Sequence, residues 1–351
     1  MPFDRRTPAS PTVPSVTTQQ AEPPPSEVLV GAPSGESRVQ PQDLLSPADR
    51  FYRRLSSAAG ISTMVLMGLI GAFLWKQSRP AFKAEGILKF LTTFQWTPDA
   101  GKFGIGAVLW WTIVIAVIAM SLAVPVAIMT ALFINEYAPR RMRALLTGLV
   151  DLLAAVPSLI YGLWGFTFLL PRISSFANWI SDHFGFIPVF SSTLDSFVSS
   201  PFLAGLVVSL MVLPICTAVM REVFSLSPPG EKEGALALGA TQWGMIRTVV
   251  LPFGAGGIVG GSMLGLGRAL GETIAVAIII SPSFTITPRI LERGGNSIAS
   301  LIALRWSEAS PNIGLPALIA AGLALFLITL AVNTGATIVI SKARSGAGVD
   351  I

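Results

Sequence analysis

Arg268 and Glu272 stand inside an apolar, glycine-rich run from Phe253 to Ser281. An arginine at the centre of a membrane helix costs about 2.5–3.5 kcal/mol on insertion scales. Such a residue needs a partner or a water-filled path. Two roles fit these residue types. The planar guanidinium of Arg268 can offer its donor fork to an oxyanion, with Glu272 orienting it and holding its charge when the site is empty. The same two residues can also form an ion pair that only holds helices together.

Spacing decides what must surround them. Gly257, Gly261 and Gly265 recur every fourth residue and share one helix face. Continued as a single helix, that face also carries Arg268 and Glu272, all five within an arc of about 80°. Glycines let another helix approach closely, so the stripe is expected to face protein or a water-filled path. Arg268 lies 15 residues past Phe253. That is roughly 22 Å along a helix, near the middle of the expected span.

The element holding these residues is one of several. The chain is 52% hydrophobic and 12% charged, and its charged share is about half the usual 25% of globular chains. Runs of about 20 apolar residues match the thickness of a bilayer. The expected fold is all-α, a polytopic membrane protein with six transmembrane helices at about 57–75, 105–134, 144–170, 202–220, 253–281 and 315–340. Pro125 is expected to break the second near its middle. Asp151 lies about 10 Å into the third, facing a cavity or reaching interfacial water.

Several function classes drop out. The net charge of +5 reflects basic residues beside the spans, so the lipid bilayer and not nucleic acid is the expected surface partner. A single cysteine, Cys216, excludes an internal disulfide. With one histidine, His183, it also argues against a His/Cys metal site. Gly101-Lys102 is followed by Phe103, so the Ser/Thr of a P-loop is missing. No GxSxG or HExxH constellation occurs. The chain is expected to be no enzyme, with no catalytic residues and no cofactor.

Charge sets the topology. Residues 1–47 hold ten of the 26 prolines and read as a disordered cytoplasmic tail. They lack the apolar core of a signal peptide. Arg50, Arg53 and Arg54 precede the first span, and Arg140, Arg141 and Arg143 follow the second, which places both sites in the cytoplasm. Residues 76–104, 171–201 and 282–314 are then external loops, the second carrying a short surface helix. The transmembrane domain covers 48–345, with a cytoplasmic loop at 221–252 and a cytoplasmic tail at 346–351.

That cytoplasmic loop has its own pattern. Pro228 and Pro229 suit a helix start, Gly239 a left-handed helix end, and Thr241 the cap of a second helix. The short helix carries Ala235, Leu236 and Leu238 on one side. An apolar face in water suits a partner's groove, or it packs on its own membrane domain.

Here the sequence resembles a known family. Glu233-Gly234-Ala235, Gly239, Val249, Leu251 and Pro252 follow the EAA-loop pattern of ABC-importer membrane subunits, with Gly234 where alanine is usual. Arg268-Ala269-Leu270-Gly271-Glu272-Thr273-Ile274-Ala275-Val276 is similar to PstC-type permeases of phosphate importers. So are Pro157–Gly165, Trp96-Thr97-Pro98 with Phe103-Gly104, and Glu136-Tyr137-Ala138-Pro139. Trp111 departs from the family, which often has glycine there. The likeness covers about residues 50–345.

The resemblance implies a type I ABC importer (MetI-like) transmembrane domain. Glu233, Gly234, Ala235 and Gly239 would dock on the ATPase. The partners would be a PstA-like permease, a PstB-like ATPase dimer and an external PstS-like phosphate-binding protein. ATP-driven closure would move the loop and swing the fifth span, alternating access of phosphate to Arg268 and Glu272. The rival readings are an ABC permease for molybdate or sulfate, and a self-contained secondary anion carrier.

Overall fold

A computed structural model of the chain describes residues 47–191 and 199–345. Of the two expected tails, residues 1–46 and 346–351 lie outside the described residues. The chain divides after Ser62, and every contact discussed below lies within the second unit, Thr63–Ile351.

The elements follow in chain order. Helix α1 is Pro47–Glu85 and α2 is Ile87–Thr92. Strands β1 (Trp96–Thr97) and β2 (Lys102–Phe103) pair antiparallel, Trp96 opposite Phe103. Helix α3 is Gly106–Leu132 and ends in a wide turn, Phe133–Tyr137. Helices α4 (Arg140–Ala155), α5 (Ser158–Trp164) and α6 (Leu170–Phe184) come next, α5 and α6 joined by a second wide turn. Helix α7 is Pro201–Ser225, α8 is Pro229–Ala237 and α9 is Gln242–Met245. A third wide turn leads into α10, Leu251–Leu270, followed by α11, Ile274–Ile279. Helices α12 (Ile298–Arg305) and α13 (Gly314–Ser345) close the fold.

Helix α7 is the hub, because small residues on both neighbours let it sit close. On α3, Ala119, Ala123, Ala127 and Ala131 form a fully buried ladder at four-residue spacing. On α10 the glycine row meets α7 directly, as expected. A Cβ added at Gly257 would lie 2.5 Å from Val223 Cβ, and one at Gly265 would lie 2.5 Å from Cys216 Sγ. The Cys216 thiol donates to the Gly261 carbonyl at 3.2 Å. Without a hydrophobic drive between helices in lipid, such close packing and interhelical hydrogen bonds hold the bundle.

A second cluster gathers at the start of α3. Phe90, Phe103, Ile105, Val108, Ile298 and Leu318 are buried together there. The Trp111 indole donates to the Thr285 carbonyl at 2.9 Å, and the Ile298 amide donates to Thr112 Oγ1 at 3.0 Å.

Several expected boundaries are corrected. The first helix runs far past 57–75, since arginines and lysines at both ends are good helix formers. Pro125 does not break the second, which is continuous from Gly106 to Tyr137. A membrane helix tolerates proline where its surroundings cover the freed carbonyl. The third, expected at 144–170, is a pair of helices bent by 88°, Arg140–Ala155 and Ser158–Phe184. Proline at 157 holds Val156 extended at φ −66° and ψ 128°, which ends α4. The fourth extends to Ser225. The fifth starts at Gln242 and stops at Leu270, well short of Ser281. The sixth begins at Gly314, close to expectation. Residues 282–314 are more than a loop, since α12 forms there behind a reciprocal Ser297/Ser300 cap and packs under α3. Asp151 pairs with Arg221 at 3.7 Å, a partner its sequence position did not reveal.

The packing generates a matched pair of tests. A Cβ at Gly257 meets Val223 at 2.5 Å, whereas one at Gly260 meets nothing within 4 Å. Gly257→Ala is therefore expected to destabilise the purified subunit by about 1–3 kcal/mol through overpacking. Gly260→Ala is expected to be neutral or to stabilise by up to about 1 kcal/mol through helix propensity. Thermal unfolding in detergent checks both, and equal midpoints would contradict the α7–α10 contact.

Candidate functional site

The region around Arg268 is built from two helix breaks. Helix α10 ends at Leu270, and Gly271 takes φ −88° and ψ 0°. Thr273 Oγ1 donates to the Gly271 carbonyl at 3.0 Å, a local bond that competes with continued helix. The Glu272 carboxylate, one residue before the N-cap Thr273, accepts from the Ala275 amide in the first turn of α11 at 3.2 Å. The Glu272 carbonyl accepts from Ser297 Oγ at 3.3 Å. The second break is at Val156-Pro157, where Tyr161 Oη reaches back to the Leu153 carbonyl at 3.0 Å. The same carbonyl also accepts from the Val156 amide at 3.3 Å, so backbone and side chain together close the end of α4.

The two breaks meet. A Cβ at Gly162 would lie 2.7 Å from Ala275 Cα, so only glycine lets α5 rest on α11. Between the breaks Ser158, Arg268, Gly271, Glu272, Thr273 and Ile274 line an open pocket of about 340 Å³.

Both expected charges reach this pocket, but not as a helical pair. Arg268 is in the last turn of its helix and not at mid-span, and Glu272 lies beyond that helix. Among the described residues no ion pair joins them. Glu272 is only 7% exposed and spends its carboxylate on a backbone amide. Arg268 Nε is buried and has no hydrogen-bond partner among the described residues. In the helix starting at Ser158 the Ile160 amide donates to the Pro157 carbonyl at 3.0 Å, which leaves only the Ser158 and Leu159 amides without an intrahelical partner. An unpaired guanidinium beside a helix N-terminus is a place for an oxyanion.

The hairpin between α7 and α10 takes its expected local form. Gly239 adopts φ +87°, a conformation that favours glycine. The Gly239 amide donates to Leu236 at 3.0 Å and the Ala240 amide to Ala235 at 3.1 Å, closing α8. Thr241 Oγ1 accepts from the Gly244 amide at 3.1 Å, capping α9. Glu233, Gly234 and Gly239 are exposed, and Ala235 is half-buried against the core. Leu226, Leu236, Leu238 and Trp243 stand out in the open, Leu238 at 91%. Such an apolar patch marks a contact surface.

The hairpin is also tied to its own bundle, one of the two expected readings, through a residue the sequence did not single out. Lys232 Nζ donates to Glu136 Oε1 at 2.7 Å, across 96 residues of chain. Gln242 Nε2 donates to the Glu136 carbonyl at 2.8 Å. No periodicity or local motif signals a pairing at such separation.

Comparison with known proteins follows the same lines. The family described as "Binding-protein-dependent transport system inner membrane component" matches residues 123–345. The "Phosphate transport system permease protein PstC 2" of Mycobacterium tuberculosis is 41% identical over 292 residues, 82% of this chain and 90% of that protein. The PstC proteins of Xylella fastidiosa strain 9a5c and Haemophilus influenzae are each 39% identical, over 81% and 86% of this chain and 88% and 95% of their own lengths. A solved bacterial ABC transporter involved in import of the acidic polysaccharide alginate shares the fold, with a TM-score of 0.53 at 21% identity. The match covers 84% of this chain and 99% of that one. The chain is a multi-pass membrane protein and belongs to the family of binding-protein-dependent transport system inner membrane components.

Proposed function

We propose that this chain is the membrane permease subunit of an ATP-driven phosphate importer and forms part of the path for inorganic phosphate. The observation that carries the reading is Arg268, whose buried Nε lacks a partner in an open pocket between two helix breaks. The names of relatives at about 40% identity over most of the chain support phosphate as the anion. A second permease of the PstA kind completes the path, and an external phosphate-binding protein delivers the anion. The subunit hydrolyses nothing itself. An ATPase dimer docks on the exposed Leu236, Leu238 and Trp243 face, with Glu233, Gly234, Ala235 and Gly239 forming the docking helix and its turn. Both termini and the hairpin then lie in the cytoplasm.

In this mechanism Arg268 binds the anion and the first turn of the Ser158 helix adds backbone amides. Glu272 acts through structure. Its carboxylate holds the α11 end of the break closed, which leaves the guanidinium free for a passing anion. An arginine held by a strong carboxylate pair would have to break that pair on each cycle.

Substitutions at Arg268 test the reading. Arg268→Gln is expected to lower phosphate uptake roughly tenfold to a hundredfold, as loss of a charge-assisted hydrogen bond would, while the assembled complex stays abundant. Arg268→Lys should restore only part, since lysine lacks the planar fork. Uptake assayed against competing molybdate and sulfate, corrected for membrane abundance, checks both, and normal uptake by Arg268→Gln would remove the anion role.

Gly239→Val should reduce copurification of the ATPase, because a β-branched residue resists the φ of +87° found there. Unchanged copurification and unchanged uptake would remove this hairpin as the docking element. For topology, cysteines replacing Glu85, Gly185 and Arg293 should react with an impermeant reagent on intact cells, and those replacing Arg140 and Ala235 should not. The native Cys216 is buried and should stay silent. The reverse pattern would invert the proposed orientation.

A further inference from the structure

Helix α9 is anchored by Met245 in the core, but α8 is held lightly, and the side-chain ties of both helices to the bundle converge on one residue. Helix α8 contains no fully buried residue, and its apolar hold on the core is the half-buried Ala235. Its described side-chain tie outside the hairpin is Lys232 to Glu136, at 2.7 Å. Both side chains are largely withdrawn from water, 20% and 8% exposed. A pair this sheltered is poorly screened, and losing one member strands the other. Glu136 also accepts from Gln242 through its backbone carbonyl, so it holds α8 with its carboxylate and α9 with its main chain.

Glu136 sits in the wide turn that ends α3, closed by the Ala138 amide on the Phe133 carbonyl at 2.8 Å. Wide turns of this kind occur mostly as single turns within helices and often at functional sites. The neighbouring Asn135 donates to the Arg221 carbonyl at 2.7 Å, in the last turns of α7. Arg221 in turn reaches Asp151 on α4. One short turn therefore joins the hairpin, the hub helix and, through Arg221, α4.

We propose that Glu136 is a positioning residue for transport. It couples displacement of the α8–α9 hairpin into the bundle through α3 and α7, beside the direct route along α9 and α10. This role rests on the importer reading above. The direct route alone would swing α10 against a stationary α7, and the glycine row gives that contact no slack. With Glu136 holding the hairpin to α3, the three packed helices are pulled together.

Charge reversal tests it. Glu136→Lys, Lys232→Glu and the double swap are compared in membrane vesicles containing the whole transport complex. Phosphate uptake and ATP hydrolysis are both read per copurified ATPase. Each single reversal is expected to cut phosphate moved per ATP by roughly fivefold or more, within the usual range of coupling between sites. Copurified ATPase should stay near the wild-type level, and the double swap should recover the ratio.

If uptake and copurified ATPase fall together at a constant ratio, the pair serves assembly alone and the coupling role is overturned. Failure of the double swap to recover the ratio overturns it as well. Should Glu136→Lys not accumulate, Lys232→Met keeps the aliphatic stem, removes the charge and is read by the same ratio. A wild-type complex that takes up no phosphate on ATP overturns the importer reading itself. Normal wild-type uptake with unaffected single reversals overturns only the role of Glu136.

Discussion

Inside hydrocarbon, each backbone amide or carbonyl without a partner costs several kcal/mol. An interrupted helix is tolerated there only if other groups cover what the interruption uncovers. Side chains cover part of each break in this chain. Tyr161 takes the Leu153 carbonyl, Glu272 takes the Ala275 amide, Thr273 takes the Gly271 carbonyl, and Ser297 takes that of Glu272. Four polar side chains support the irregular backbone, two of them, Glu272 and Thr273, from a break itself. Ser297 comes from the segment before α12, where it and Asn296 are buried.

Close packing supplies the rest of the rigidity. The alanine ladder of α3 and the glycine row of α10 flank α7 on two sides. These contacts depend on the absence of side chains, so they define distance more strictly than a leucine-rich seam would. The site charges sit at one end of α10 and the hairpin at the other, joined by a continuous helical run from Gln242 to Leu270. A shift imposed at Trp243 can therefore be felt near Arg268 without any intervening flexible loop.

Much of this was legible in the sequence, and the misses have common causes. Apolar runs located the spans because burial in lipid needs only composition and length. The glycine row, the turn at Gly239 and the cap at Thr241 were readable because each is a local rule. Helix breaks inside apolar runs were not. Hydropathy cannot distinguish a helix through Gly271-Glu272-Thr273 from a helix that stops there, since Ile274 to Ile280 remain just as apolar. Extending that helix placed Arg268 at mid-span and Glu272 one turn on, and so implied a pairing the fold does not make. Glu136 with Lys232 and Asp151 with Arg221 were invisible for another reason. Long-range ion pairs leave no periodic trace, and each charge also had an innocent reading as a topology signal.

The contact of Gly162 with Ala275 has a mechanical consequence. Helix α5 and helix α11 meet at backbone distance, each just past its own break. Neither can slide over the other without a collision of main chain, and the only side chain there, the Ala275 methyl, has no rotamer to yield. The two halves therefore form a single clamp, whose two jaws end at Pro157 and Gly271. Motion of either jaw changes the width of the gap that Arg268 overlooks, while the clamp's joint stays put.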